Sequence, residues 1–396
     1  MIETVTRRRL DAPIERLVPH PRLPLMAVVD ASRPAVHVSD LGLRTVGSVG
    51  ADASDYGDLP SWERYKRVPK LAWHPYEPIL MVAAGGSLSQ WNPDGASTRP
   101  AAYRSLAFSP DGSTLWASPA SGDADDAWTA SDVVDIVGVD VIGTGPRWDT
   151  GVAVHPAGGL VLTLASDQGA TLGLFALAEN RRMRVRNRAV ILDVDGYETP
   201  VWSPDGRRFA IRGNAYVQSL MVYAFPSLER ELALELSDPY PGYPAPPDWT
   251  ERTNAWSRRN IAFASDPDVL WIGTPDGTLI SFDLTTRAAT EHPVSNARVT
   301  ALATTSTGEL VLADSDGDLM RLSVPGGHAA ADATTVSTFL DATEPVYADG
   351  YLWDELELTD GRRTWNHNDL AAVTEADGSD PTWLRLQAAI NEFREP

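Results

Sequence analysis

The sequence predicts an all-β chain, a single β-propeller of about seven four-stranded blades with a short C-terminal helix. Three observations lead there. A short apolar strand that runs into a His-Pro or Ser-Pro turn recurs along the chain. The spacing of the copies suits a propeller blade. Most of the remaining sequence consists of brief β-branched or aromatic runs separated by small-residue turns.

The clearest copies are Leu71-Ala-Trp-His-Pro75, Ser105-Leu-Ala-Phe-Ser-Pro-Asp-Gly112, Val152-Ala-Val-His-Pro156 and Pro200-Val-Trp-Ser-Pro-Asp-Gly206. Weaker ones are Leu17-Val-Pro-His-Pro21, Ile261-Ala-Phe-Ala-Ser-Asp-Pro267 and Thr300-Ala-Leu-Ala-Thr-Thr305. Aligned on the residue before the proline, the anchors are His20, His74, Ser109, His155, Ser203, Ala264 and Thr304, at steps of 54, 35, 46, 48, 61 and 40 residues. A four-stranded blade takes about 40–50 residues, and the longer steps accommodate insertions. Each turn has a mechanism: proline presets φ, Asp bonds the local backbone and Gly accepts positive φ. Second strands follow in runs such as Leu160-Val-Leu-Thr-Leu164 and Leu310-Val-Leu312, and third strands in runs such as Leu220-Met-Val-Tyr223 and Leu279-Ile-Ser-Phe282.

These units resemble WD-repeat-like propeller repeats, including those of Tol-type periplasmic propellers, whose mark is a Trp-Ser-Pro-Asp-Gly turn. Trp202-Ser-Pro-Asp-Gly206 matches it and Phe108-Ser-Pro-Asp-Gly112 nearly does. The resemblance covers roughly residues 14–324 and implies a propeller. The stricter WD pattern is not met, because Trp148-Asp149 and Trp353-Asp354 stand at the wrong phase. Propellers serve as scaffolds, receptors and enzymes, so the fold alone does not give a function.

The domain reading is an N-terminal strand in 1–13, a propeller over 14–340 and an extension over 341–396. A propeller must complete its last blade. Glu3-Thr-Val-Thr-Arg7 is one candidate for that outer strand, and Thr334-Thr-Val-Ser-Thr-Phe339 competes with it. The extension carries a hairpin signal at Asp360-Gly361. A helix is expected after Asp380 as N-cap and Pro381, with Trp383, Leu386, Ile390 and Phe393 on one face.

Composition narrows the chemistry. The 396 residues include no cysteine, which removes disulfides, thiolate metal sites and thiol nucleophiles and fits a reducing, cytoplasmic setting. The first residues carry positive charge without an apolar run, unlike a secretory signal, and no stretch is long and apolar enough for a membrane-spanning helix. The formal charge of −21 disfavours nucleic acid and suits a partner with a basic surface. No Gly-x-Ser-x-Gly elbow, phosphate loop or His-Glu-x-x-His occurs. Three histidines, His20, His74 and His155, share one repeat position, which reads as turn architecture. Asp314-Ser-Asp-Gly-Asp318 has its glycine too early for an EF-hand loop and reads as a hairpin turn. No cofactor, metal or catalytic residue is assigned.

The informative residues lie in insertions at 52–66, 121–132 and 237–256. With strands labelled a to d outward from the channel, these are d–a, b–c and d–a connections, which a propeller places on one face. The expected partner-binding residues are Asp123, Asp125, Asp126 and Trp128 in the second insertion and Tyr240, Tyr243, Trp249 and Trp256 in the third. The third also holds five prolines, which limit the entropy lost on binding. The expected function is a non-catalytic protein–protein interaction scaffold with a loop-rich acidic and aromatic face. The alternative is a propeller enzyme of lactonase or hydrolase type, or a small-ligand binder, using the central channel.

Overall fold

The computed structural model describes residues 2–59, 61–120, 130–138, 140–148, 151–165, 171–179, 182–193, 198–213, 217–327, 329–346, 355–378 and 380–394. Its strands form seven sheets, each built around a four-stranded antiparallel meander, and the fold class is the seven-bladed β-propeller. Blade 1 runs from Ile14–Pro19 to Thr45–Val49, blade 2 from Lys70–Trp73 to Gly95–Pro100 and blade 3 from Tyr103–Phe108 to Val141–Thr144. Blade 4 runs from Ala153–Val154 to Arg182–Leu192, blade 5 from Val201–Trp202 to Arg230–Glu235 and blade 6 from Ile261–Phe263 to Ala289–Pro293. Blade 7 takes Val299–Thr304, Leu310–Asp314 and Asp318–Ser323 from the end of the propeller sequence and Glu3–Arg9 from its beginning. Leu10 N donates to Gly317 O at 2.8 Å and Arg7 pairs with Asp318 at 2.5 Å, fixing the register of this N-terminal strand.

The chain divides into two compact units. The first is Met1–Arg147 with Ala245–Ala330 and holds blades 1, 2, 3, 6 and 7. The second is Trp148–Pro244 with Ala331–Pro396 and holds blades 4 and 5 and the C-terminal extension.

Packing explains why the strands are uninterrupted apolar runs. Successive side chains point to opposite faces of a sheet, and a blade between two neighbours is buried on both. In blade 1, Ala27 and Val29 pack with Leu80 and Val82 of blade 2, whereas Met26 and Val28 pack with Ala301 and Val311 of blade 7. In blade 2, Met81 and Ala83 turn the other way, toward Leu115 and Ala117 of blade 3. In the second unit, Leu162, Phe175 and Val190 of blade 4 pack with Phe209 and Tyr223 of blade 5.

Five helices are present among the described residues: α1 Ser61–Arg67, α2 Pro247–Asn254, α3 Ala333–Asp341, α4 His367–Ala371 and α5 Thr382–Arg394. The segment 334–339, a competing closing strand by sequence, lies in α3. The Asp332 side chain accepts from Thr334 N as N-cap, and Val336 and Phe339, three apart on one helix face, enter the blade 4–5 core. The guanidinium of buried Arg186 donates to the carbonyls of Leu340 and Thr343 at the end of this helix, where the negative pole of the dipole favours a cation. Glu357–Thr359 and Thr364–Trp365 form a small hairpin about Asp360-Gly361, and the first of these adds parallel to the outer strand of blade 4. In α5 the buried positions are Leu384, Ala388 and Asn391, whereas Leu386, Ile390 and Phe393 are exposed. Of the apolar face read from the sequence, these last three residues are thus turned outward, and Trp383 is half-buried. Asp380 does not cap this helix: its carboxylate binds Arg363 at 2.6 Å, and the Thr382 amide donates to Asp193 at 3.2 Å.

Candidate interaction surfaces

The repeated turn histidines are occupied by architecture. The Nδ1 of His74 accepts from the amides of Tyr76 and Glu77 at 3.1 and 2.8 Å, so the proton sits on Nε2, which donates to Gly112 O at 3.1 Å. His20 does the same, with Nδ1 on the amides of Arg22 and Leu23 and Nε2 on Glu77 O at 2.9 Å. His155 accepts from Ala157 N and donates to Gly206 O at 2.9 Å. Each histidine therefore closes its own turn and reaches the turn of the next blade. Each ring also meets the aromatic residue that precedes that next turn: Trp73, Phe108 and Trp202, at centroid distances of 5.1, 5.2 and 4.7 Å. Burial lowers the pKa of all three, only partly offset by the carbonyl each one bonds. The Ser-Pro-Asp-Gly turns are two copies of one structure. Ser109 and Ser203 each donate to the aspartate two residues on at 2.6 Å and accept an amide from the following strand.

Asp314-Ser-Asp-Gly-Asp318 is a hairpin turn, with the Asp314 carboxylate accepting from the amides of Asp316 and Asp318 at 3.0 and 2.9 Å. Among the described residues no group of three His, Asp or Glu side chains is placed to hold a metal.

The expected binding residues separate into distinct environments. Asp123, Asp125, Asp126 and Trp128 lie outside the described residues. Tyr243 is 94% exposed and Tyr240 39% exposed, in a proline-rich stretch where Gly242 has φ +95°. Trp249 is 8% exposed, as a buried residue of α2, and Trp256 is half-buried. This corrects the expectation that all four aromatics of the third insertion offer contact area. Helix formation is the reason. Pro247 occupies the first turn, Asp248 pairs with Arg252 at 3.0 Å one turn on, and Trp249 and Thr253 form the buried side.

A further cluster, absent from the sequence reading, lies in the first unit. Glu15, on the inner strand of blade 1, accepts from Arg64 of α1 at 2.6 Å and from Arg259, just before blade 6, at 3.0 Å. Burial pushes the Glu15 carboxyl up, but the Arg259 and Arg64 guanidinium groups outweigh it and hold the group below its usual range. Arg64 also donates to Ala31 O at 2.9 Å and lies 5.3 Å over the Tyr56 ring. Nearby, Lys70 and Arg258 lie 4.2 and 5.4 Å from the centroid of the Tyr65 ring, which is 43% exposed. Residues from 15, 64–70 and 258–259 meet here, and no single stretch of sequence reveals it.

No protein-family model matches the chain, and no curated protein sequence matches it significantly. Solved structures do match. The chain is similar to the β-propeller domain of Myceliophteria thermophila Cps50 (Swd1), with a TM-score of 0.55 and 11% identity, over 82% of this chain and all of that one. It is also similar to Kuenenia stuttgartiensis hydrazine synthase, with a TM-score of 0.54 and 14% identity, over 79% of this chain and 97% of that one. At these identities the likeness shows the propeller fold alone.

Proposed function

We propose that this protein is a non-catalytic interaction scaffold that binds a protein partner through the 237–244 segment. The observation that carries the reading is the exposure of Tyr243, 94%, with Tyr240 three residues before it. A tyrosine so exposed adds little to its own core, yet tyrosine offers large contact area at low entropic cost and is enriched at binding hot spots. Three prolines in this stretch, Pro239, Pro241 and Pro244, restrict its backbone before binding. The turn histidines add support, since both ring nitrogens are engaged in structural hydrogen bonds. The net charge of −21 favours a partner with a basic surface at long range. Under this reading the protein works in the cytoplasm, and its Trp202-Ser-Pro-Asp-Gly206 turn resembles that of the WD-like, Tol-type repeats.

The test is site-specific crosslinking in lysate of the source organism. A photoreactive aromatic residue at position 243 is expected to capture a defined polypeptide. The same residue at Val46, an exposed outer-strand position, is expected not to. Equal capture from both positions, or capture undiminished by adding the Tyr240→Ser change, would exclude this segment.

A further inference from the structure

The chain carries 54 acidic and 33 basic side chains, but the basic ones are not evenly spread. Its two lysines, Lys66 and Lys70, stand within five residues of each other, with Arg64 and Arg67 in the same run. The fold brings Arg258 and Arg259 to this run, through the shared Tyr65 ring and the shared Glu15 carboxylate. Against these six cations stand Glu63 in the same run, Glu15 of blade 1, and Asp30, which with Glu15 and Arg64 acts on Tyr56. Lys66, Arg67 and Arg258 are exposed.

Part of this concentration has a local purpose. Cations in the last turn of α1 complement the helix dipole, and Arg64 with Arg259 holds Glu15. Those roles include Arg67, and Arg258 lies over the Tyr65 ring, yet both side chains remain exposed. Two cations at one tyrosine ring, Lys70 and Arg258, repel each other. Such a cluster raises the local affinity for anions, and an incoming carboxylate relieves the repulsion. Glu15 already shows the contact: one carboxylate shared by two guanidinium groups at 2.6 and 3.0 Å.

We infer that this basic face of the first unit binds an acidic polypeptide segment, one with several Asp or Glu side chains in a short stretch. A polypeptide fits better than a nucleic acid because the favourable field is local. A long phosphate backbone would extend beyond about one Debye length, roughly 8 Å, onto a protein of net charge −21. A short acidic segment stays within the patch. The inference shares with the scaffold reading only the premise that the ligand is a polypeptide, and it uses a different surface.

The test is fluorescence anisotropy on the full chain with three probes: a peptide of alternating Glu and Gly, its Lys-Gly counterpart, and a single-stranded oligonucleotide of equal length. The Glu-Gly peptide is expected to bind best, with affinity falling as salt rises. Lys66→Glu with Arg67→Glu and Arg258→Glu is expected to weaken it about tenfold or more, and Arg67→Ala alone about threefold. Thermal melting confirms that each variant is folded. Tyr240→Ser with Tyr243→Ser is expected to leave peptide binding unchanged, so failure of this inference and failure of the 237–244 reading are separate results. Absence of Glu-Gly binding at low salt, binding that survives charge reversal, or oligonucleotide binding as tight as that of the peptide would each overturn the inference.

Discussion

A Cβ added at Gly206 would lie 2.3 Å from the His155 ring, at a position where φ is +75°. Gly112 repeats this against His74, also at 2.3 Å and φ +75°. The glycine of the Ser-Pro-Asp-Gly turn is thus required twice, for its backbone and for the close approach of the preceding blade's histidine. Gly206→Ala is expected to destabilise the second unit by about 2 kcal/mol in denaturant melts. Adding His155→Ala should restore part of the loss, because the clash disappears and the strained φ remains. Full additivity of the two changes would contradict the contact. The histidines also set a pH dependence. Their folded pKa values lie below the unfolded value of about 6.5, so the unfolded chain takes up protons first as pH falls. Stability should therefore be full above about pH 6.5 and decline below it until the folded pKa values are passed. This window lies above that of Asp332, whose carboxyl is held down to about 2 by the hydroxyl and amide of Thr334 and by Arg207. Replacing His20, His74 and His155 together with Gln should flatten the decline below about pH 6.5, measured by denaturant midpoint. The histidine position was legible in the sequence as a turn element. Its reach into the next blade was not, because repeat spacing reports which residues are equivalent and not which ones touch.

The elements divide by how local their signals are. Strands whose apolar runs face two neighbouring blades, such as Leu80–Ala84, declare themselves in the sequence. Helix α3 does not, because Thr-Thr-Val-Ser-Thr-Phe is rich in β-branched residues, and what decides it is the Asp332 cap and a core that accepts Val336 with Phe339. Phe339→Ala should cost the second unit about 3–4 kcal/mol. A loss of less than about 1 kcal/mol in denaturant melts would show that the helix is a passive appendage. Helix α2 carried readable signals, Pro247 at its start and the Asp248–Arg252 pair, but the surrounding prolines and tyrosines read more strongly as a loop. The consequence falls on Trp249. Trp249→Ala is expected to lower stability by about 3 kcal/mol or more, where an interface residue would leave melting unchanged and alter only binding. The N-terminal strand Glu3–Arg9 supplies the outer edge of blade 7. Removing residues 2–9 should lower the melting temperature and expose a strand edge prone to pairing between molecules, visible as concentration-dependent aggregation.

At the scale of the whole molecule, blade number and the turn motif follow from sequence, whereas the basic face does not, because its charges come from three distant stretches. Charge composition alone suits a basic partner, whereas the site inferred on the first unit would have the opposite preference. In the proposed function the protein acts by presenting exposed aromatic contact area at 237–244. The most direct test is the dissociation rate of the partner captured from position 243, measured for the parent and for Tyr240→Ser with Tyr243→Ser at equal thermal stability. The double variant is expected to dissociate about 30-fold faster, corresponding to roughly 2 kcal/mol, with association little changed. Identical dissociation rates for the two proteins would contradict it.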